Sequence, residues 1–250
     1  MIRAENISIS YGQKALLRSL DLTLEEGSMT ALIGANGSGK SSLMRVLNGL
    51  QIPTNGTVFW GNRPLGNINR SEKVKIAGSI YSSFARVEGF KVYDLVALGR
   101  SAHTGFFGQL KVEDHEVIQN SLEKVGLAKH SEDQILTLSD GEFRKALLAK
   151  LLAQDTDILF LDEPTAHLDL PAALEFVEVL RDLANQGKTI VFSTHHLPLA
   201  FKMTDQIVLL DGKGEVAVGP PEDMTTHHMI CDFLKTEKIR IVDGNLILDV

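Results

Sequence analysis

The first part of the chain alternates apolar and polar residues in a way that predicts antiparallel strands. The segments IRAENISISY (2–11) and ALLRSLDLTLEEG (15–27) both alternate, as strands with one buried face do. The segment SMTALIGA (28–35) is more continuously apolar, which indicates a central strand. It leads into SLMRVLNGL (42–50), whose apolar residues have helical spacing. The sequence therefore predicts an antiparallel β subdomain next to a buried strand and a helix.

Helical patterns dominate the middle of the chain, and apolar strands alternate with helices after it. The helical segments are VYDLVALGR (92–100), EDHEVIQNSLEKVGL (113–127) and FRKALLAKLLAQ (143–154). The later strands are DILFLD (157–162), TIVFST (189–194) and DQIVLLD (205–211), separated by helical patterns at 171–188 and from about 197. Strands that alternate with helices indicate a mostly parallel sheet.

These patterns predict one α/β domain over residues 1–250, with a core at about 1–68 and 155–235 and an inserted helical subdomain at about 69–154. Two Gly-containing dipeptides predict hairpin turns. Asn55-Gly56 is the first. Asp243-Gly244 is the second, and it predicts a C-terminal β-hairpin at about 236–250.

Composition narrows the class of protein. The 250 residues are 44% apolar and 23% charged, as in soluble globular proteins. The net charge of −7 without a Lys/Arg block argues against a nucleic-acid partner. Cys231 is the only cysteine, so we expect neither an internal disulfide nor a cysteine metal site. The N-terminus lacks a signal-peptide pattern, and no apolar run reaches the roughly 20 residues of a membrane helix. We therefore expect a cytoplasmic chain that meets a membrane only through a partner.

A glycine-rich loop follows the predicted central strand. GANGSGKS (34–41) matches G-x-x-x-x-G-K-[ST] between a strand and a helix. In such a loop the backbone N–H groups surround a phosphate chain, so Lys40 would reach the β- and γ-phosphates and Ser41 would hold Mg²⁺.

Polar residues also follow two of the later apolar strands. Asp162 and Glu163 end DILFLDEP (157–164), at the edge of a parallel sheet where ligands bind. We expect Asp162 to hold Mg²⁺ and Glu163 to be a general base on water. His195 follows TIVFST, where it either senses the γ-phosphate or is an ordinary surface histidine. Tyr11 either stacks on a base or packs as an ordinary aromatic. The chain has no N-K-x-D sequence to read guanine, which favours adenine and hence ATP.

The start of one helix carries an unexpected charge. In LTLSDGEF (136–143), Ser139 and Glu142 have the spacing of a capping box. Asp140 suits a helix dipole, yet it would repel a phosphate bound at the same N–H groups. The sequence leaves open whether this start is a structural cap or half of an anion site.

Taken in order, the phosphate loop, LSDGE, ILFLDEP, AHLD and STHH resemble the nucleotide-binding subunit of ATP-binding cassette (ABC) transporters, from about residue 2 to 230. FKVYDLVALGRSAH (90–103) and GPPEDM (219–224) are similar to the branch that imports iron–siderophores, haem or cobalamin. The resemblance implies a P-loop NTPase (RecA-like) core with a mostly parallel sheet. It also implies Mg-ATP hydrolysis by a head-to-tail homodimer on the inner face of the membrane. Such a dimer works transmembrane permease subunits, which a substrate-binding protein feeds.

The resemblance assigns a role to each motif residue. Glu163, His195 and Lys40 would be catalytic, and Ser41, Asp162 and Ser82 would approach Mg²⁺. Asp169 would cross to the partner subunit, and the signature residues Ser139, Gly141 and Glu142 would meet the γ-phosphate that the other subunit holds. The remaining nucleotide contacts would be Tyr11, Gly34, Asn36, Gly37, Ser38, Gly39 and Ser42.

Two positions depart from the family pattern. Asp140 replaces the first glycine of the signature, and Ser82 stands where the family has a glutamine that approaches Mg²⁺ and links to the permease. We expect Asp140 to weaken ATP-driven closure unless it turns away or pairs with a cation, for which Arg144 and Lys145 are the neighbours in sequence. These two changes keep open the alternative of an ATP switch that hydrolyses slowly. A second alternative, independent of them, is a non-transport ABC ATPase such as an iron–sulfur assembly or regulatory subunit.

Overall fold

The computed structural model describes residues 1–12, 14–81, 85–105, 108–166 and 168–224, and the backbone of 239–242 and 245–248. This part of the chain forms two sheets and eight helices, with a separate hairpin near the C-terminus. In chain order the elements are β1 (Ile2–Tyr11), β2 (Lys14–Leu24), β3 (Met29–Gly34), α1 (Lys40–Leu47), β4 (Asn55–Trp60), β5 (Arg63–Pro64), α2 (Arg70–Ile76), β6 (Ala77–Ile80), α3 (Val92–Ala97), α4 (Val112–Lys124), α5 (Asp140–Ala153), β7 (Ile158–Leu161), α6 (Leu170–Asn185), β8 (Thr189–Ser193), α7 (Leu197–Met203), β9 (Gln206–Leu210), β10 (Val216–Gly219), α8 (Pro221–Met224), β11 (Ile239–Val242) and β12 (Asn245–Leu248).

The six-stranded sheet is mostly parallel and has the order β10-β9-β3-β8-β7-β6. Only the edge strand β10 runs antiparallel to its neighbour, and the others pair in parallel. The four-stranded sheet is antiparallel and has the order β2-β1-β4-β5. The predicted α/β fold, with a P-loop NTPase core, an antiparallel β subdomain and an inserted helical part, is confirmed. The boundaries given above for its subdomains stay predictions.

Two hydrophobic cores lie on the two faces of the main sheet. One packs α3 to α7 against it, with Phe176 and Phe192 among its buried side chains. The other fills the space between the main sheet, α1 and the antiparallel sheet, with Phe160 and Trp60 in it. Because β8 lies between β3 and β7, the carboxyl ends of these three strands meet at one edge. Among the described residues, no helix is long and apolar enough to cross a membrane.

The predicted turn at Asn55-Gly56 is wrong. These residues begin β4, and the chain turns instead at 61–62, before β5. Gly56 has φ 89°, and a Cβ there would lie 2.4 Å from the carbonyl oxygens of Glu5 and Asn6. Its glycine is therefore needed where β4 crosses an irregular stretch of β1, because only glycine allows this approach.

Two short parts of the structure bear on the prediction from the hydrophobic pattern, namely the strand β6 and the hairpin near the C-terminus. The strand β6 lies inside the stretch expected to be helical and pairs with β7 at the edge of the main sheet. With only four residues, AGSI, it shows no periodicity to read. At the other end, β11 and β12 pair as an antiparallel hairpin, as predicted, while Asp243 and Gly244 lie outside the described residues.

Candidate functional site: the nucleotide-binding edge of the main sheet

The glycine-rich loop connects β3 to α1 with the backbone that its sequence predicts. Gly37 has φ 76° and Gly39 has φ 108°, a region that side-chain-bearing residues rarely adopt. Gly39 is the N-cap of α1 and has no side chain that could bond to the first N–H groups of the helix. Ala35, Asn36 and Gly37 are exposed at the surface of the loop. The loop therefore presents free donors to solvent at a helix N-terminus.

A buried hydroxyl without a partner supports a phosphate chain as the guest of this loop. Ser38 is 2% exposed, and among the described residues its Oγ has no hydrogen-bond partner. Such an atom costs free energy unless a ligand or water satisfies it. A Cβ at Gly34 would lie 2.5 Å from the same Oγ, so the glycine keeps the space around this hydroxyl open. Loop and hydroxyl together fit an anionic guest.

The Lys40 ammonium is held inside the loop. Its Nζ donates to the carbonyl oxygens of Gly34, at 2.8 Å, and Ala35, at 3.2 Å. Burial lowers the pKa of Lys40, and the nearby carboxylates of Glu163 and Asp162 partly oppose that shift. The structure thus brings the lysine of the loop and the two acids after β7 into one electrostatic cluster.

A hydrogen-bonded network joins the residues that follow β7 and β8. Ser193 Oγ donates to Asp162 Oδ1 at 2.6 Å and accepts from the backbone N–H of Glu163 at 2.8 Å. His195 Nε2 donates to Glu163 Oε1 at 2.8 Å. Glu163 has φ 49°, a conformation that costs a residue with a side chain about 1–3 kcal/mol. The network holds a carboxylate in a strained but fixed orientation at the site edge.

The donor set also suits Mg²⁺. This cation takes one or two protein oxygens and completes its shell with phosphate oxygens and water. Ser41 is half-buried in the first turn of α1, and Asp162 accepts from Ser193 through one of its two carboxylate oxygens. A hydroxyl and a carboxylate supply the oxygen ligands that this cation prefers. The described residues contain no group of three or more His, Cys, Asp or Glu side chains arranged for a metal.

Tyr11 is more than half exposed and is tied to the region around α1. Its hydroxyl donates to Gln51 Oε1 at 2.8 Å and lies 3.3 Å from Ser42 Oγ. The hydroxyl thus ties this half-exposed side chain to the helix that follows the phosphate loop. An exposed aromatic in this position is suited to stacking on a base.

The start of α5 is the predicted capping box. Glu142 Oε2 accepts from Ser139 Oγ at 2.7 Å and from Ser139 N–H at 2.8 Å, and Ser139 Oγ lies 3.3 Å from Glu142 N–H. A Cβ at Gly141 would meet only Leu168, at 3.7 Å, so the helix start is open there. In the described part of the chain the hydrogen bonds of Ser139, Asp140 and Glu142 join them to one another and to Arg86, and not to the phosphate loop. The structure does not bring these residues to the loop of the same chain.

The cation expected near Asp140 is a different residue from those that the sequence suggested. Arg86 Nη2 lies 2.5 Å from Asp140 Oδ1. Lys145 pairs instead with Glu175, at 2.8 Å, on α6. Arg86 is 54 positions from its partner, and a contact between residues so far apart in sequence leaves no spacing signal.

Two further predicted site residues are placed away from the loop or outside the described chain. Asp169 caps α6, and its Oδ1 accepts from Ala172 N–H at 3.0 Å. Ser82 lies outside the described residues. Sequence reasoning missed Ser193 and Gln51. Ser193 had one available signal, since it lies two residues before His195 at the end of a strand predicted to reach the site.

Comparison with known proteins identifies the family. The family model described as ABC transporter matches residues 17–166. The petrobactin import ATP-binding protein FpuD of Bacillus anthracis is 33% identical over 89% of this chain and 82% of its own. The probable siderophore transport system ATP-binding protein YusV of Bacillus subtilis is 33% identical over 90% and 82%. The L-cystine import ATP-binding protein TcyC of Bacillus subtilis also matches, at 32% over 90% and 92%.

Solved structures agree with this assignment. A metal-chelate type ABC transporter in an inward-facing conformation superposes with a TM-score of 0.83 at 25% identity, covering 98% of this chain and 94% of that one. A dimeric bacterial ABC transporter cassette, MJ0796, superposes with a TM-score of 0.77 at 23% identity, covering 88% and 99%, and shows the shared fold. Both the phosphate loop and the acidic pair after β7 fall within the matched range. The chain belongs to the ATP-binding subunits of the ABC transporter family.

Proposed function

We propose that this ABC subunit hydrolyses Mg-ATP at a site formed by the phosphate loop and the acidic pair after β7. The observation that carries the proposal is the Glu163 carboxylate, oriented by His195 at 2.8 Å and joined through Ser193 to Asp162. A carboxylate fixed in this way is suited to accept a proton from an attacking water. Lys40, in the same electrostatic cluster, supplies the positive charge that a γ-phosphate needs.

In this mechanism each residue has a defined task. Tyr11 stacks on adenine, the loop N–H groups from Gly34 to Ser41 and the Ser42 hydroxyl bind the phosphates, and Lys40 moves from its loop carbonyls to the β- and γ-phosphates. Ser41 and Asp162, with Ser82 nearby, would hold Mg²⁺, which neutralises phosphate charge when bound. His195 keeps the Glu163 carboxylate aimed at the water.

The second half of each site would come from another copy of the chain. Among the described residues, Ser139 and Glu142 bond to each other at this helix start, and a Cβ at Gly141 would meet only Leu168. We propose a head-to-tail homodimer in which this start meets the γ-phosphate of the partner, with Asp169 at the same interface. ATP would close the dimer and hydrolysis would open it.

The first test is the Glu163→Gln variant. Loss of the general base is expected to lower ATP turnover by at least about 100-fold while ATP still binds. With the proton acceptor gone, ATP should trap a dimer that size-exclusion chromatography with light scattering detects. His196→Gln is the control and should keep its turnover, because His196 lies next to His195 but bonds through its backbone N–H to the Thr194 hydroxyl. Parent-like turnover in Glu163→Gln would remove the assigned base.

We further propose that the subunit works as an importer component, cytoplasmic and peripheral on the inner face of the membrane. Its partners would be transmembrane permease subunits and, through them, a substrate-binding protein; we propose no nucleic-acid partner. A surface cavity is lined by residues that include Ser79, Ile80, Tyr81, Lys150 and Gln154. Tyr81 immediately precedes Ser82 in the sequence, and Ser82 is the position that the resemblance links to the permease. We place the permease contact there. Recovery of a soluble scaffold and no permease in a mild-detergent pull-down would instead indicate a non-transport ABC ATPase.

The proposed cargo is an iron–siderophore, haem or cobalamin complex. FpuD and YusV carry siderophore names, while TcyC, with similar identity, carries a cystine name. Vesicles containing the permease, with binding protein outside and ATP inside, would distinguish these cargoes by ATP-dependent uptake of labelled ferric siderophore, haem, cobalamin or cystine. Uptake of cystine alone would reject the proposed cargo.

A slowly hydrolysing switch is the second candidate, and the residue that favours it is Ser82. A serine hydroxyl is shorter than a glutamine amide and would act on Mg²⁺ only through water. If Ser82 limits hydrolysis, Ser82→Gln should raise turnover several-fold at saturating ATP. Unchanged turnover in that variant would leave the transport ATPase as the supported function.

A further inference from the structure

Arg86, which no motif includes, contacts the start of α5 in three ways. Its Nη2 pairs with Asp140 Oδ1 at 2.5 Å, and its Nη1 donates to the carbonyl oxygen of Leu138 at 2.6 Å. Its guanidinium carbon lies 4.6 Å from the centre of the Phe143 ring. These three partners lie on both sides of Ser139, the cap of the helix, in the sequence. Arg86 therefore contacts both the residue before the cap and the first turn of α5.

This arrangement differs from an ordinary surface ion pair. Such pairs contribute little because two flexible side chains must be ordered in water. Here the Arg86 side chain is only 24% exposed, although that of Asp140 is 73% exposed. The planar guanidinium uses its fork on two acceptors and stacks on an aromatic ring, which a lysine cannot reproduce. The position of the positive charge is therefore fixed by three contacts, whereas Asp140 depends on Arg86 for its own orientation.

The charge balance at this helix start explains why the pairing matters. The free N–H groups of the first turn favour an anion, and a carboxylate at Asp140 competes for that place. Arg86 binds the carboxylate from the side of Leu138 and Phe143 and cancels its charge. Asp140 without Arg86 would leave a negative charge where the proposed dimer brings a γ-phosphate.

We propose that Arg86 is a positioning residue for the composite ATP site, because it neutralises Asp140 and holds its carboxylate away from the anion seat at Ser139 and Gly141. The proposal rests on the proposed function, in which that seat meets the phosphate of the partner copy. Arg86 and Asp140 then act as one unit that replaces the glycine of the usual signature. The aspartate is tolerated because the arginine accompanies it.

A double-mutant cycle on the Glu163→Gln background tests this. The measurement is the ATP concentration at half-maximal dimer, from light scattering, for the parent, Arg86→Ala, Asp140→Gly and the double variant. Arg86→Ala should raise that concentration about tenfold, because the carboxylate becomes uncompensated. Asp140→Gly should stay within about twofold of the parent. The double variant should return to the Asp140→Gly value, since without the carboxylate the arginine has nothing to neutralise.

Three controls separate positioning from folding. Arg86→Lys keeps the charge without the fork and should give an intermediate value. Lys145→Ala breaks another ion pair of α5, with Glu175, and should leave closure unchanged. Thermal unfolding of each variant reports whether Arg86→Ala merely loosens the fold. If Arg86→Ala lowers the unfolding temperature, the comparison is made with Arg86→Lys instead. That variant should still need more ATP for half-maximal dimer than Lys145→Ala does.

The outcomes also separate this proposal from the function on which it rests. Failure of the Glu163→Gln parent to dimerise with ATP would reject the proposed dimer and the Arg86 role with it. A dimerising parent combined with parent-like closure in Arg86→Ala would overturn the Arg86 role alone. So would a double variant as defective as Arg86→Ala, because the arginine would then act independently of Asp140.

Discussion

Ser193 shows at the scale of single residues how the site depends on a group outside the motifs. Its hydroxyl is fully buried and joins the Asp162 carboxylate to the backbone N–H of Glu163. Glu163 needs that anchor because its backbone is in the left-handed region, where a residue with a side chain is strained. The hydroxyl therefore anchors the backbone that carries the Glu163 carboxylate, the proposed general base.

Ser193→Ala tests this dependence. Removing the hydroxyl leaves a buried N–H without its acceptor, which costs about 1–3 kcal/mol. Because the Glu163 carboxylate then loses its fixed orientation, ATP turnover is expected to fall tenfold or more. ATP binding should change little. Steady-state hydrolysis and equilibrium ATP titration measure the two effects.

Thr204→Ala is the matched control for Ser193→Ala. The Thr204 hydroxyl is also buried, but it donates to Ala200 within α7, away from the site. This variant should lose stability without losing turnover. Equal turnover in Ser193→Ala and Thr204→Ala would contradict the anchoring role.

The spacing of short motifs was enough to predict that Lys40, Asp162 and Glu163 belong to the candidate site. Each follows directly after a predicted strand or loop, so its position along the chain indicates where its side chain lies. Spacing did not predict the Arg86 and Gln51 contacts. Arg86 meets Asp140 across 54 positions and Gln51 meets Tyr11 across 40, so both depend on how whole elements pack. For the same reason, Lys145 was a wrong prediction for the cation near Asp140, since it pairs with Glu175 on another helix.

At the scale of elements, α5 packs unusually close to the short helical turn Leu98–Ala102. Gly99 lies in that turn, and a Cβ there would be 2.2 Å from the carbonyl oxygen of Lys150 and 3.1 Å from the Ala153 side chain. Real atoms do not approach backbone oxygen so closely, so glycine is required for the contact. The close packing fixes α5 against the helices that precede it.

Gly99→Ala is expected to lower the free energy of unfolding by about 2 kcal/mol or more, because the helix must move to make room. Urea denaturation measures the change. Gly66→Ala is the control, since a Cβ there meets nothing within 4 Å and its φ is not positive. A fall in stability as large in Gly66→Ala would show that loss of glycine itself, and not the contact, is responsible.

The capping box of α5 predicts a pH dependence. Hydrogen bonds from the Ser139 hydroxyl, and then from its backbone N–H, lower the pKa of Glu142 from its ordinary 4.5. The unfolded chain therefore binds this proton more readily. The stabilisation is fully present above about pH 4.5 and is lost as pH falls through the lower folded pKa.

Glu142→Gln keeps a capping side chain but does not titrate. The advantage of the parent over this variant in urea midpoint should shrink between pH 6 and pH 3.5, in the window that linkage gives. Glu178→Gln, on the exposed side of α6, is the control and should show no such change. A parent advantage that stays constant over this range would contradict the assignment.

At the scale of the whole molecule, Gly141 distinguishes what the folding of one chain requires from what the assembly of the proposed dimer requires. Among the described residues, a Cβ at Gly141 would meet only Leu168, at an ordinary 3.7 Å. Nothing in the described fold explains why that position is a glycine. The proposed partner copy does, because a phosphate must approach the same backbone.

Gly141→Ala should therefore leave the unfolding midpoint unchanged or slightly raised, since alanine favours a helix. The same variant should need at least about tenfold more ATP to form the trapped dimer on the Glu163→Gln background. Unfolding curves and light scattering measure the two properties on one preparation. Loss of both together would indicate a folding defect instead of an assembly defect.

The alternation of strands and helices was enough to predict the parallel sheet, because periodicity reports which faces are buried. It did not locate β6, whose four residues are too short for a period, or the use of Gly56 inside a strand. Both belong to the packing of one sheet edge against a neighbour. Long-range pairing of this kind is decided by the assembled molecule.

The position of Lys40 has a consequence for how the loop accepts its ligand. The ammonium group already has two acceptors in the loop carbonyls of Gly34 and Ala35. Phosphate oxygens therefore substitute for existing partners, and the net gain is the difference between two satisfied states. In the proposed site, ATP binding therefore exchanges one set of partners of Lys40 for another, because the phosphates replace the loop carbonyls that now accept from its ammonium group.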